Sequence, residues 1–160
     1  MASSILIIGV GSPYRCDDSV GLIIVKSLEY IQSKQVRLIE HSGEGSDLMD
    51  VWKNYNYIFL IDAVQSGKPP GTIHRINARE EKVPTEFFHY STHAFGVAEA
   101  VEMARALGEF PENLFIFGIE GKNFNMGHDM SPSVKISAKI VEKMLKEEIQ
   151  KIINQEIMNA

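Results

Sequence analysis

The sequence predicts an α/β fold: a three-layer α/β/α sandwich with a mainly parallel, twisted sheet of about five strands. Short β-branched or aromatic runs bounded by Gly, Ser, His or Asp recur along the chain, as buried parallel strands do. Segments with apolar residues at helical spacing separate these runs. At 160 residues and 44% hydrophobic content the chain suits one core, so residues 1–160 are expected to form a single domain.

The first strand is Ile5–Ile8, and "VGLIIVKSLEYIQ" then places Val20, Ile23, Ile24 and Leu28 at helical spacing. Val36–Ile39 is the second strand. "SDLMDVWKNY" reads as a short helix with Ser46 as N-cap, and Tyr57–Ile61 as a third, central strand. "GTIHRI" follows Pro70–Gly71 too closely for a helical crossover, so this fourth strand should be antiparallel or at an edge. "FGVAEAVEMARAL", Phe95 to Leu107, is a helix closed by Gly108, and "NLFIFGIE" is the fifth strand. Ser131 and Pro132 open the last helix, the proline at the first position where the missing N–H costs nothing. Ile136, Ile140, Val141, Met144, Leu145, Ile149 and Ile152 are expected along its core face, with fraying from about Gln155.

Composition narrows the function. A net charge of −5 without a basic stripe argues against nucleic acid. The lone cysteine, Cys16, permits neither an internal disulfide nor a multi-cysteine metal site, and it favours a reducing compartment. "MASSILIIGVGS" lacks a positive leader, and its apolar run from Ile5 to Val10 is too short to span a membrane. A cytoplasmic monomer without membrane attachment is the expectation.

The loops after the strands carry the chemistry, since ligands of α/β sheets sit at the strands' carboxyl ends. In "GVGSPYRCDDSVG" the third glycine of a dinucleotide fingerprint would fall at Tyr14, and no Lys-Ser/Thr pair makes a phosphate loop. What remains is a tight turn leading to Asp17 and Asp18. One of the two suits a helix cap, and the other then points into the cleft. A second acid, Asp62, ends the central run "YIFLID" before the polar, proline-bearing "QSGKPPG". A third candidate is His93 in "HYSTHAFG", just before a helix and beside Ser91 and Thr92. Two carboxylates and an imidazole suit Ni, Zn, Mn or Fe(II) and leave coordination positions open. The other histidines, His41, His74, His89 and His128, are weaker candidates. Neither H-E-x-x-H nor G-x-S-x-G occurs, and nothing in the spacing of Cys16 and His93 supports a nucleophile–base pair.

Four stretches occur in the order and spacing of the hydrogenase maturation proteases, which the chain resembles from about Ile5 to Val141. They are "IIGVGSPYRCDDSVGLIIVKSLE", "IDAVQSGKPPGTIHRI", "STHAFGVAEAVEMARALGEFPENLFIFGIE" and "GHDMSPSV". Those enzymes trim the C-terminal extension from the large subunit of NiFe hydrogenases. The resemblance implies a metal-dependent endopeptidase, of the kind called aspartic-type, with a metal site on Asp18, Asp62 and His93. These residues would engage nickel already inserted in the large-subunit precursor, so that the substrate supplies the metal, although other divalent ions could occupy the site. Asp17 or Asp18 would help move protons. A non-catalytic metal-sensing or chaperone-like module for the same large subunit is the alternative. This sequence departs from the family pattern at Ser12 and Pro13, where Asn is usual after the second glycine, and at Gly43, where Thr is common. Gly43, Glu44 and Gly45 are therefore expected to meet a differently shaped precursor loop.

Overall fold

The computed structural model describes residues 2–88 and 93–160, so the expectations for His89, Ser91 and Thr92 lie outside the described residues. The elements are β1 (Ile5–Val10), α1 (Val20–Ser27), β2 (Val36–His41), α2 (Gly45–Trp52), β3 (Tyr57–Val64), β4 (Ile73–Asn77), α3 (Val97–Ala106), β5 (Asn113–Glu120) and α4 (Pro132–Asn159). Short 3-10 turns at Cys16–Ser19, Glu29–Ile31 and Thr85–Phe88 supplement them. The strands form one sheet in the order β2-β1-β3-β5-β4, parallel except for β4, which pairs antiparallel with β5 at one edge. The expected fold class and the edge position of the fourth strand are both present.

Strand alternation divides the core between two faces. Ile5, Ile7, Phe59, Ile61, Phe117 and Ile119 pack on one side against Val20 and Ile24 of α1 and Val141 and Leu145 of α4. Leu6, Ile8, Ile58, Leu60, Leu114 and Ile116 pack on the other against Leu48 and Trp52 of α2 and Val101 and Ala104 of α3. The chain leaves β1 for β2 on one side and returns to β3 on the other. The loops after β1 and β3 therefore diverge and open a crevice at the carboxyl end of the sheet. No helix among the described residues is long and apolar enough to cross a membrane.

Several local expectations are corrected. Helix α2 is capped not by Ser46 but by Glu44, whose carboxylate accepts from Ser46 N at 3.1 Å and Asp47 N at 2.9 Å. The longer acid reaches two unpaired first-turn donors at once. Ser131 does occupy the N-cap position of α4, but its hydroxyl donates to Asp17 instead of capping. On α4 the buried stripe runs Val134, Ala138, Val141, Leu145, Ile149, Ile152, while Ile136 and Ile140 are 65% and 47% exposed. Each lies two residues, about 200° of rotation, from a stripe position. Ile23 of α1 is likewise exposed, and α4 stays helical through Asn159 instead of fraying from Gln155.

Candidate functional site

The start of α1 comes close to β1 and β3 because Gly21 faces Gly9 of β1, where a Cβ on Gly9 would meet Gly21 O at 2.2 Å. A Cβ on Gly21 would lie 2.4 Å from Ile61 O and 2.6 Å from Val10 O, so the start of α1 rests directly on the backbones of β1 and β3. A Cβ on Gly11 would meet Asp18 O at 1.9 Å. The turn that leaves β1 therefore folds back on the acid that follows it. A side chain at Gly11 would displace the Asp18 backbone, and one at Gly21 would lift the start of α1 off both strands.

The two adjacent acids part company. Asp17 is fully buried, and its carboxylate accepts from Lys122 N (2.8 Å), Asn123 N (2.8 Å), Ser131 N (2.6 Å) and Ser131 Oγ (2.8 Å). It is absent from the cavity lining, so the proton-moving role suggested for Asp17 gives way to that of a clasp between the first loop, the loop after β5 and the start of α4. Asp18, half-buried, faces the cavity and accepts from Ser12 N at 3.1 Å. Cys16 holds a positive φ of 49° between them and the turn, donates its N–H to Gly127 O and is buried outside the cavity.

A cavity of about 500 Å³ opens at the crevice and is lined by Asp18, Asp62 and His93 together with Arg15, Gln65 and Phe87. Asp62, 7% exposed near the end of the central strand, has its proton affinity pushed well above the usual carboxylate range, by burial first and by the charge of Asp18 second. Burial also raises Asp18, partly offset by the Ser12 N–H and the Arg15 guanidinium. His93, half-buried, also lines the cavity, and its charge helps to lower Glu44 at the start of α2, though less than the backbone and hydroxyl donors on that carboxylate do. Among the described residues no three His, Cys, Asp or Glu side chains are grouped closely enough to hold a metal ion. The three expected residues thus share a cavity without forming a closed ligand set.

The other described histidines are engaged elsewhere. His41 Nε2 contacts Asp47 at 2.5 Å, His128 meets the Tyr14 ring edge-on, and His74 lies 3.1 Å from Glu120 with its ring against Phe87. Glu120 is an acid that sequence reasoning passed over. It is buried and takes hydrogen bonds from Ser66 N and Ser66 Oγ, bracing the "QSGKPPG" loop beside the cavity. Arg15 and Phe87 were also missed as lining residues. The position of Arg15 two residues before the acids was the available signal for it.

Comparison with known proteins now bears on this site. A family model described as hydrogenase maturation protease matches residues 23–153, most of the chain. The chain belongs to the hydrogenase maturation protease family. The matched span includes Asp62 and His93, whereas Asp18 precedes it. The hydrogenase 2 maturation protease of Escherichia coli K12 is 31% identical over 135 residues, covering 82% of this chain and 81% of that protein. The hydrogenase expression/formation protein HupD of Thiocapsa roseopersicina is 28% identical over 136 residues, and the match spans 82% of this chain and 61% of that longer relative. Among solved structures, an endopeptidase from Escherichia coli superposes with a TM-score of 0.76 at 27% identity, covering 89% of each chain. The hydrogenase maturating endopeptidase HybD of Escherichia coli gives 0.77 at 22% identity over 92% of this chain and 93% of its own, a likeness of fold.

Proposed function

We propose that this family member is an endopeptidase that removes the C-terminal extension of a nickel-loaded NiFe hydrogenase large-subunit precursor, and that it recognises the bound nickel through Asp18, Asp62 and His93. The observation that carries the reading is the pair of acids with raised proton affinity in one cavity that His93 also lines. A buried carboxyl and a half-buried one that feels its charge repel when both ionise, and a cation between them relieves that cost. The nickel belongs to the substrate, and the precursor supplies its remaining ligands. A nickel-free precursor offers nothing to offset the acids, so recognition doubles as a check that the metal has been inserted.

For the chemical step, burial holds a proton on Asp62 until the nickel displaces it; as a water oxygen adds to the scissile carbonyl carbon and the C–N bond breaks, that displaced proton is available for the departing amine. Ser12 N–H fixes one Asp18 oxygen, and Arg15 faces the same space. The protein acts in the cytoplasm as a monomer. The test mixes the purified protein with nickel-loaded and nickel-free precursor and follows the mass of each. Loss of a short C-terminal peptide from the loaded form alone is expected. Equal cutting of both forms removes the nickel requirement, and binding of the loaded form without cutting leaves a sensor or chaperone. An Asp18→Asn variant that processes at the normal rate would overturn the assigned role of that acid.

A further inference from the structure

We propose that a second groove, separated from the acidic cavity by the Gly11–Pro13 ridge, holds the segment that is cut from the precursor, with Leu22, Ile23 and Lys26 of α1 selecting it. The proposal rests on the endopeptidase reading above. The groove encloses about 480 Å³ and shares Gly11, Pro13 and Ser42 with the cavity, so the two form one trough divided by the first loop. An enzyme that cuts within a chain must hold polypeptide on both sides of the bond. The cavity with the acids and His93 accommodates the metal-bearing side. A chain leaving it over the ridge enters this groove within a few residues, at roughly 3.3 Å of extended backbone each.

The chemistry of the two compartments differs accordingly. Apolar side chains line both, Val10, Phe87 and Val97 in the cavity and Pro13, Leu22 and Ile23 in the groove, but the cavity sets Asp18, Asp62 and His93 among them and the groove Lys26 and Glu40. Ile23 is 37% exposed and lies off the side that α1 buries, Val20, Ile24 and Val25, so it is surplus to the core. Of the groove's basic side chains, the His41 ring accepts the Gly43 N–H and contacts Asp47, and the His128 ring meets Tyr14 edge-on. Lys26, exposed in the last turn of α1, makes no ion pair among the described residues. Glu40 also stands on the rim and disfavours a second acid there. The occupant that fits is an extended peptide with an aliphatic side chain against Leu22 and Ile23 and one acidic side chain toward Lys26.

The experiment has two arms. In the first, the ¹⁵N-labelled full-length protein is titrated with a synthetic peptide of the precursor's C-terminal extension. The amide signals of Ile23, Lys26, Ser42 and His128 should move while those of α3 stay in place. In the second, nickel-loaded precursor is processed by wild type, Ile23→Asp and Lys26→Glu, each with its fold checked by circular dichroism. Both variants should lose about tenfold or more in kcat/KM, mainly through KM, as expected when an apolar contact or a charge partner is removed from a subsite. Wild-type kinetics in both variants, or peptide-induced shifts confined to other regions, would overturn the groove assignment while leaving the protease reading intact. Shifts in the groove with no cleavage of any precursor would uphold the groove and bring down the protease reading instead.

Discussion

Replacing Asp17 by Asn separates the clasp from the cavity. Three of its four hydrogen bonds converge on Oδ2, from Lys122 N, Asn123 N and Ser131 Oγ, and one reaches Oδ1, from Ser131 N. An amide has one acceptor oxygen, so in the better orientation its NH₂ replaces Oδ1 and confronts the Ser131 N–H. The variant then loses one bond and strands a donor in a fully buried setting. Losing the bond costs about 1 kcal/mol and the stranded donor about 1–3 more, for a sum near 2–4 kcal/mol. For a chain of this size that lowers Tm by about 5–15 °C. Differential scanning calorimetry and denaturant titration of Asp17→Asn and Asp18→Asn, side by side, measure it. Asp17→Asn should be clearly destabilised yet still process precursor well below its melting point, because the residue does not face the cavity. A stability within about 0.5 kcal/mol of wild type would refute the argument, since that is the range of an inconsequential surface change.

Asp62→Asn should abolish processing and raise stability at neutral pH. Folding raises this acid's pKa above its unfolded value of about 3.9, so the native state binds the proton more tightly. Wild-type stability therefore falls as pH climbs from the ordinary aspartate range to the raised value, and it stays low above that. The gain from Asn should be about 1.4 kcal/mol for each tenfold tightening of proton binding, and it should vanish at pH below about 4. A melting curve across pH shows whether the difference closes in acid. Gly21→Ala inserts a methyl against two carbonyl oxygens, and it should cost about 1–3 kcal/mol or more and displace the first loop. Denaturant midpoints and activity should fall together. Chelation of the purified protein, followed by removal of the chelator, should leave processing of nickel-loaded precursor unchanged, and elemental analysis should find less than stoichiometric metal before substrate is added.

The sheet was legible because its signal is local. Runs such as "ILIIGV" and "YIFLIDAV" are apolar on both faces, which a central parallel strand requires, and Gly108 and Pro132 punctuate the helices in their usual places. Asp62 and His93 could be placed at one sheet edge from the order of elements alone. Which of Asp17 and Asp18 enters the cavity could not, because it depends on the left-handed turn at Cys16 and on backbone donors more than a hundred residues away. The exposure of Ile136 and Ile140 escaped for a different reason. Apolar residues occur on more than one side of α4, and only packing against α1 and β5 selects the stripe. Phe87 and Glu120 belong to the site's surroundings through contacts that no local pattern encodes.

The Asp17 clasp also has a consequence in time. It joins positions 105, 106 and 114 residues apart, so the first loop cannot settle until the start of α4 is present. Contacts of such separation are made late, after the loop-closure entropy of most of the chain has been overcome. On the ribosome, the segment that carries Asp18 emerges early and must wait for Ser131 before it is fixed. A nascent or truncated chain ending before α4 therefore holds both cavity acids without the partner that sets the first loop, and competence waits for the start of α4.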